Sequence, residues 1–340
     1  MELALGGWVL VFVGAAVVVG IGGTILARTG DAISEETGLG GLTIGLLLLS
    51  GATSLPEVAT SMSAAATGAP DLAISNYLGS NMANMAILAV VDLVSRRRIF
   101  PLVELAQARV ATGAIILTAL VGLAIMLQDG RTIGPIGYDT VVITVTFLAI
   151  LTWIRRAPAE IRGLPAATAA TAAGPLAAGR DRRRLVRALV GFGIGALITL
   201  GSAPVLAIAA EEIAALTGIT QTFVGAAFLA MATSAPELVA SIAAVRIGAA
   251  DLAVGNLFGS NLFNMGIIIT ADFAYPGGAI LSSVSPTEEI VAFGALIMTG
   301  LGLAAVLHGT ETRPWRVEPD GILILVVYGA LLLITAGGLG

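Results

Sequence analysis

The 340-residue chain has no cysteine, no lysine and one histidine, His308. Those absences exclude disulfides, thiolate metal centres and histidine-rich zinc or copper sites. Charge is scarce too. Acidic and basic residues make up 11% of the chain, against about 25% in an average soluble domain. What fills the space is apolar: 57% of residues are hydrophobic and the mean hydropathy is +0.97. A membrane-spanning helix needs about 20 mostly apolar residues, so the composition predicts an all-α polytopic membrane protein. No Ser/His or paired-aspartate constellation lies in the apolar segments, which argues against an intramembrane enzyme.

Ten apolar segments stand between charges or Gly/Pro turns, near 5–27, 37–66, 72–94, 107–127, 136–154, 185–209, 219–245, 252–273, 288–308 and 319–338. The first is long enough to be a span itself, so no separate signal peptide is expected. The one substantial polar stretch, 155–187, is arginine-rich at both ends and Ala/Thr/Gly-rich at its centre. It reads as a cytoplasmic anchor and flexible linker, not a nucleic-acid surface. With the N-terminus outside, the inner loops collect Arg28, Arg96 to Arg98, Arg109, the linker set, Arg246, Arg313 and Arg316. The outer loops keep Arg131 alone. That bias predicts a ten-span cell-membrane protein with both termini outside.

The chain repeats itself at a fixed offset of 180 residues. Aligned without a gap, 51–84 and 231–264 share 17 identities in 34 positions. The expected division is a first five-helix half (1–156, repeat core 37–94), a linker (157–184) and a second half (185–340, repeat core 219–273). Five is odd, so the second copy enters the membrane upside down. Inverted repeats of this kind are common in secondary transporters, whose sites lie at the repeat interface.

Within each repeat one carboxylate falls deep in an apolar run: Glu57 in Thr53-Ser54-Leu55-Pro56-Glu57, and Glu237 in Thr233-Ser234-Ala235-Pro236-Glu237. A carboxylate at the bilayer centre costs roughly 2.5–3.5 kcal/mol on insertion scales, so its presence points to function. The prolines remove backbone donors, and carbonyls of residues 52 to 54 and 232 to 234 are expected to be freed. The Gly-Ser-Asn-x-x-Asn runs 79–84 and 259–264 add oxygens. Counted from the turn at Pro70, Asn84 and Glu57 lie at the same depth, about 20 Å from it, so Ser80, Asn84 and Glu57 are expected to converge, as are Ser260, Asn264 and Glu237. Thr60, Ser61, Ser63 and Ser241 read as hydroxyls bonded back to their own helix. Asp71, Asp92, Asp251 and Asp272 read as helix-end anchors. The pooled set is all oxygen, which suits Ca²⁺ better than Mg²⁺. Two carboxylates without a cation would repel, so either cations or a proton occupy the site.

These motifs, with the ten-span layout, resemble the two α-repeats of the sodium/calcium exchangers of the cation/calcium antiporter superfamily. The resemblance implies electrogenic exchange of Na⁺ for Ca²⁺ by alternating access, with the first and sixth spans sliding over the other eight. It implies no cofactor beyond the transported ions and a chain acting as a monomer in the bilayer. By the same resemblance Glu57 and Glu237 are shared Ca²⁺ and Na⁺ ligands, with the carbonyls of Thr53 and Thr233. Ser54, Ser80, Ser234 and Ser260 complete the Na⁺ positions, Asn84 and Asn264 lie at the centre, and carbonyls of Ser50 and Ala230 are outer candidates. Two departures stand out. Ala52 and Ala232 occupy positions where the family often has glycine. Asn264 stands where some relatives carry aspartate, which argues against a K⁺ requirement. The rival reading is a proton/calcium antiporter of the same superfamily, whose repeats usually read Gly-Asn-Ala-x-Glu.

Overall fold

The structure is a computed structural model, and it describes residues 4–37, 50–95, 99, 106–155, 181–246, 250–308 and 319–336. The expected entry of the second span (38–49), most of the linker (156–180), Arg96 to Arg98, Arg313 and Arg316 lie outside the described residues.

The described residues are mainly helical, with a short hairpin pairing Thr132–Ile133 with Ile136–Gly137. The helices are α1 (Leu5–Thr37), α2 (Leu55–Ala66), α3 (Pro70–Val94), α4 (Ala106–Leu127), α5 (Tyr138–Arg155) and α6 (Arg182–Thr217). They continue with α7 (Gln221–Phe223), a π-helical turn (Val224–Leu229), α8 (Ala230–Thr233), α9 (Ala235–Arg246), α10 (Ala250–Gly266), α11 (Ile268–Ala274), α12 (Thr287–His308) and α13 (Pro319–Ala336). Among the described residues six helices are long and apolar enough to cross a membrane, and the bent pair 221–233 with 235–246 makes a seventh.

Two helices overrun the apolar segments that announce them. α1 continues ten residues past Ala27, and α6 extends to Thr217 instead of 209. Loss of hydropathy marks where a helix leaves lipid, not where its backbone bonding stops. Pro204 lies inside α6 without ending it.

α3 and α10 form the centre. Tyr77 and Phe258 are the largest fully buried side chains, and Tyr77 shares a 3.1 Å hydrogen bond with Thr270. α3 gives up apolar character for the interior: Asn76, Ser80, Asn81 and Asn84 are all fully buried. α1 and α6 pack side by side on the outside, each with an apolar face turned away from the protein, Leu10 being 75% and Leu197 74% exposed. Beneath them α1 crosses both helix breaks at Gly23. A Cβ there would overlap Pro236 Cγ and stand 3.2 Å from Pro56 Cγ.

Tertiary contacts sort the helix ends into two groups. At one end of the bundle Glu36, near the close of α1, pairs with Arg184 at the start of α6 (3.0 Å), and Gln107 at the start of α4 donates to Asp251 at the start of α10 (3.1 Å). At the other end Asp71, starting α3, accepts from the Ser285 amide before α12 (2.6 Å). There too Thr220, before α7, donates to the Thr335 carbonyl near the close of α13 (3.4 Å). Asp272, closing the α10–α11 stretch, accepts from the amides of Gly137 (2.6 Å) and Ile280 (2.8 Å) and from the Thr140 hydroxyl. Asp92 binds the Ile99 amide at 3.1 Å. The aspartates predicted as helix-end anchors serve as such.

Candidate cation site

Both Pro-Glu steps lie where a helix breaks. Residues 50–53 are helical, Ser54 turns (φ −82°, ψ 0°), and α2 begins at Leu55. Ser234 repeats the turn (φ −82°, ψ 9°) between α8 and α9, where the axis bends by 45°. Proline lacks the N–H that would serve the carbonyls of Ala52 and Ala232. The expected release does not extend to Ser54 and Ser234. Their carbonyls accept from the amides of Val58 (3.1 Å) and Leu238 (3.2 Å), because helical bonding resumes immediately after the proline. The Ser50 and Ala230 carbonyls are likewise engaged. Each accepts a backbone amide at 2.9 Å and the hydroxyl of Thr53 (3.1 Å) or Thr233 (3.2 Å).

Glu57 and Glu237 are fully buried. Glu57 Oε1 accepts from Ser234 Oγ at 3.1 Å and Ser80 Oγ at 3.4 Å. Glu237 Oε1 accepts from Ser260 Oγ at 3.2 Å. The other oxygen of each carboxylate meets no donor, and neither does the Ser54 hydroxyl. The threonines link the halves: Thr233 Oγ1 lies 3.4 Å from Ser80 Oγ, and Thr53 Oγ1 lies 3.2 Å from Ser260 Oγ. Glu57 and Glu237 are near enough for the charge of one to act on the other.

Four asparagines close the cluster. Asn84 Nδ2 donates to Asn261 Oδ1 (2.9 Å), and Asn264 Nδ2 donates to Asn81 Oδ1 (3.1 Å). Asn81 and Asn261 each donate their own amide to the other's backbone carbonyl, at 3.3 and 3.2 Å. With their nitrogens tied, Asn84 and Asn264 are left with carbonyl oxygens that have no partner. Close packing holds α3 in this register: a Cβ on Gly79 would overlap the backbone of Ala226 in the π-helical turn. A π turn shifts helical register by one residue and often marks functional positions.

The structure buries all ten predicted residues: Glu57 is joined with Ser80, Ser234 and Thr233, Glu237 with Ser260 and Thr53, Asn84 and Asn264 are tied through Asn261 and Asn81, and Ser54 makes no side-chain hydrogen bond. Asn81 and Asn261, within the Gly-Ser-Asn runs, and Asn76 and Asn256, a pair at the same 180-residue offset, are not singled out by the motifs as ligands. Asn76 donates to Ser61 (2.9 Å) and accepts from Thr233 (3.3 Å), so Ser61 takes part in a contact between helices. Ser63 does, to Ala59 at 2.7 Å, whereas the Thr60 and Ser241 hydroxyls have no partner. Among the described residues no three His, Cys, Asp or Glu side chains cluster. The available set is two carboxylates completed by neutral oxygens, which suits hard cations.

Oxygen ligands buried between broken helices of an apolar bundle are the build of a membrane protein that handles cations. Residues 7–156 and 187–337 match the family described as sodium/calcium exchanger protein, and the chain belongs to that family, within the cation/calcium antiporter superfamily. It is a multi-pass membrane antiporter, and the family is one of transporters, not enzymes. The chain is 31% identical over 296 residues to the inner membrane protein YrbG of Escherichia coli, covering 87% of this chain and 86% of that one. Its fold is similar to that of the sodium-calcium exchanger NCX_Mj, with a TM-score of 0.60 at 22% identity over 99% of this chain and 100% of that one. It is also similar to that of the H⁺/Ca²⁺ exchanger CAX, with a TM-score of 0.68 at 13% identity over 97% and 85%.

Proposed function

We propose that the protein exchanges Na⁺ for Ca²⁺ across the cell membrane by alternating access, through a site built from the ten residues named above. One observation carries the reading. Glu57 Oε2, Glu237 Oε2, Asn84 Oδ1 and Asn264 Oδ1 are buried and partnerless, one carboxylate and one amide oxygen from each half. A buried polar atom left unpaired costs about 1–3 kcal/mol, and more when charged. A Ca²⁺ ion would answer all four and balance both charges, and Na⁺ ions bound with the neighbouring hydroxyls of Ser54, Ser80, Ser234 and Ser260 would do the same. The family match supports Na⁺ as the counter-ion.

The architecture behind this reading is ten spans in two inverted five-helix halves, divided as 1–156 and 185–340 by the linker 157–184. The two groups of helix ends support it, since each described contact joins ends that such a layout puts on one membrane face. The arginine-rich face is then cytoplasmic, and one chain holds one complete site. Gly23 lies over both prolines, so a shift of α1 and α6 along that crossing would expose the site to one face while covering the other.

The rival is proton exchange, because Glu57 and Glu237 are the two groups in the cluster that can carry a proton. Proteoliposomes with Na⁺ and H⁺ gradients imposed separately distinguish the two. The proposal expects ⁴⁵Ca²⁺ uptake to follow the Na⁺ gradient and to be unmoved by a pH jump alone. Uptake that follows the pH jump without Na⁺ overturns it in favour of the rival. Glu57→Gln and Glu237→Gln should each abolish uptake, and wild-type flux from either removes the site assignment.

A further inference from the structure

Three fully buried carboxylates among the described residues retain an oxygen without a donor: Glu57, Glu237 and Glu288. The first two belong to the cluster above. Glu288 does not, and both of its oxygens lack a hydrogen bond. Asp272, equally buried, shows how this fold satisfies an acid kept for structure, with two amides and a hydroxyl around it.

Glu288 is the second residue of α12, and the charge of Asp71, the second residue of α3, bears on it. Asp71 Oδ1 is held by the Ser285 amide at 2.6 Å. Thr222, in α7, is the neighbouring hydroxyl that bears on Glu288, and neither Glu288 oxygen holds a hydrogen bond. Nine residues of α3, about 13 Å of helix, separate Asp71 from Ser80, so this group stands apart from the central cluster.

The internal repeat supplies a control. α4 and α12 are both 22-residue helices, and the counterpart of Glu288 as second residue is Gln107. Asp251, the repeat partner of Asp71, accepts from Gln107 Nε2 at 3.1 Å. At one end of the bundle the pair is therefore acid and amide, joined by a direct hydrogen bond, with Gln107 Oε1 left without a partner. At the other it is acid and acid, with no positive group between them among the described residues. A fully buried carboxylate on which a second carboxylate's charge bears needs a bound cation or a proton.

We propose that Glu288, Asp71 and Thr222 form a second site for a hard cation, distinct from the Glu57–Glu237 site. The set is two carboxylates and a hydroxyl, an oxygen-only group whose charge matches one divalent ion, so Ca²⁺ is the probe. The test is equilibrium ⁴⁵Ca²⁺ binding to the purified full-length protein, with melting temperature followed with and without Ca²⁺. Glu57→Gln/Glu237→Gln should bind one Ca²⁺ fewer than wild type yet retain one, with Ca²⁺ still raising its melting temperature. Adding Glu288→Gln, or independently Asp71→Asn, should remove that ion and the Ca²⁺-dependent stabilisation, while the Ca²⁺-free melting transition stays cooperative. If one of these triple variants fails to fold, the other decides the question. A double variant that retains no Ca²⁺, or a folded triple variant that still binds it, overturns the proposal. If the central assignment alone is wrong, Glu57→Gln/Glu237→Gln binds as much as wild type and Glu288→Gln still removes one ion.

Discussion

Gly23→Ala tests how α1 rides over the two helix breaks. The added methyl would overlap Pro236 Cγ, lie 3.1 Å from Pro236 Cβ and lie 3.2 Å from Pro56 Cγ. Neither proline ring has a flexible end to withdraw, so the helix must shift. Overpacking of this kind costs about 1–3 kcal/mol. Since 1.4 kcal/mol is a factor of ten, the variant should lose about 5- to 150-fold in Na⁺-driven ⁴⁵Ca²⁺ flux. Equilibrium Ca²⁺ affinity should change less, because no ligand oxygen touches Gly23. Gly20→Ala, one turn earlier, is the internal control. Its methyl meets Ala235 Cβ at 3.6 Å, an ordinary contact, and alanine is the better helix former by up to about 1 kcal/mol. Gly20→Ala should exchange at the wild-type rate and melt no lower than wild type. If Gly23→Ala exchanges as fast as Gly20→Ala in the same proteoliposomes, the crossing is not a constraint on transport and the reasoning fails.

Other outcomes follow from the same geometry. Asn261→Ala frees Asn84 Nδ2 and opens the mutual clasp with Asn81, so Ca²⁺ affinity measured by equilibrium binding should fall about tenfold or more, from about 1–3 kcal/mol per orphaned group. Asp272→Ala strands two backbone amides and should lower stability by about 2–4 kcal/mol, read as melting temperature, while Na⁺/Ca²⁺ exchange in surviving protein remains. Omitting K⁺ from both sides of the vesicle should leave flux unchanged, since Asn264 adds no third charge to the cluster. A strict K⁺ dependence would refute that. Ser234→Ala removes the shorter of the two side-chain hydrogen bonds to Glu57, whereas Ser54→Ala removes none in this conformation. The first should therefore cost more in Ca²⁺ binding.

Much of this molecule could be read along the chain. Segments 107–127 and 288–308 fall within a residue of α4 and α12, because glycine, proline and charge bracket them cleanly. The two Pro-Glu steps and the Gly-Ser-Asn runs were visible because duplication prints the same chemistry twice. What could not be read is the pairing of partners. The Gly-Ser-Asn runs show Asn81 and Asn261 in the sequence, but only the approach of α3 to α10 decides that they bind each other's backbone. The π-helical turn was hidden for a related reason: nothing in Val-Gly-Ala-Ala-Phe-Leu asks for a wider turn, and packing against Gly79 and Ser75 accompanies it. Departures from the repeat were also out of reach. Ser234 reaches Glu57 while Ser54 leaves Glu237 alone, and Asn76 reaches Ser61 while Asn256 Nδ2 and Ser241 stay unpaired. Identical residues, placed in one conformation, need not make identical bonds.

The hydroxyl of Ser234 serves the acid of the opposite repeat, Thr53 meets Ser260, and each central asparagine is oriented by one from across the divide. Neither half of the chain therefore holds the complete hydrogen-bonded network on its own. Cutting the gene within the linker and expressing the pieces apart should yield two inert membrane proteins, and expressing them together should restore exchange by complementation.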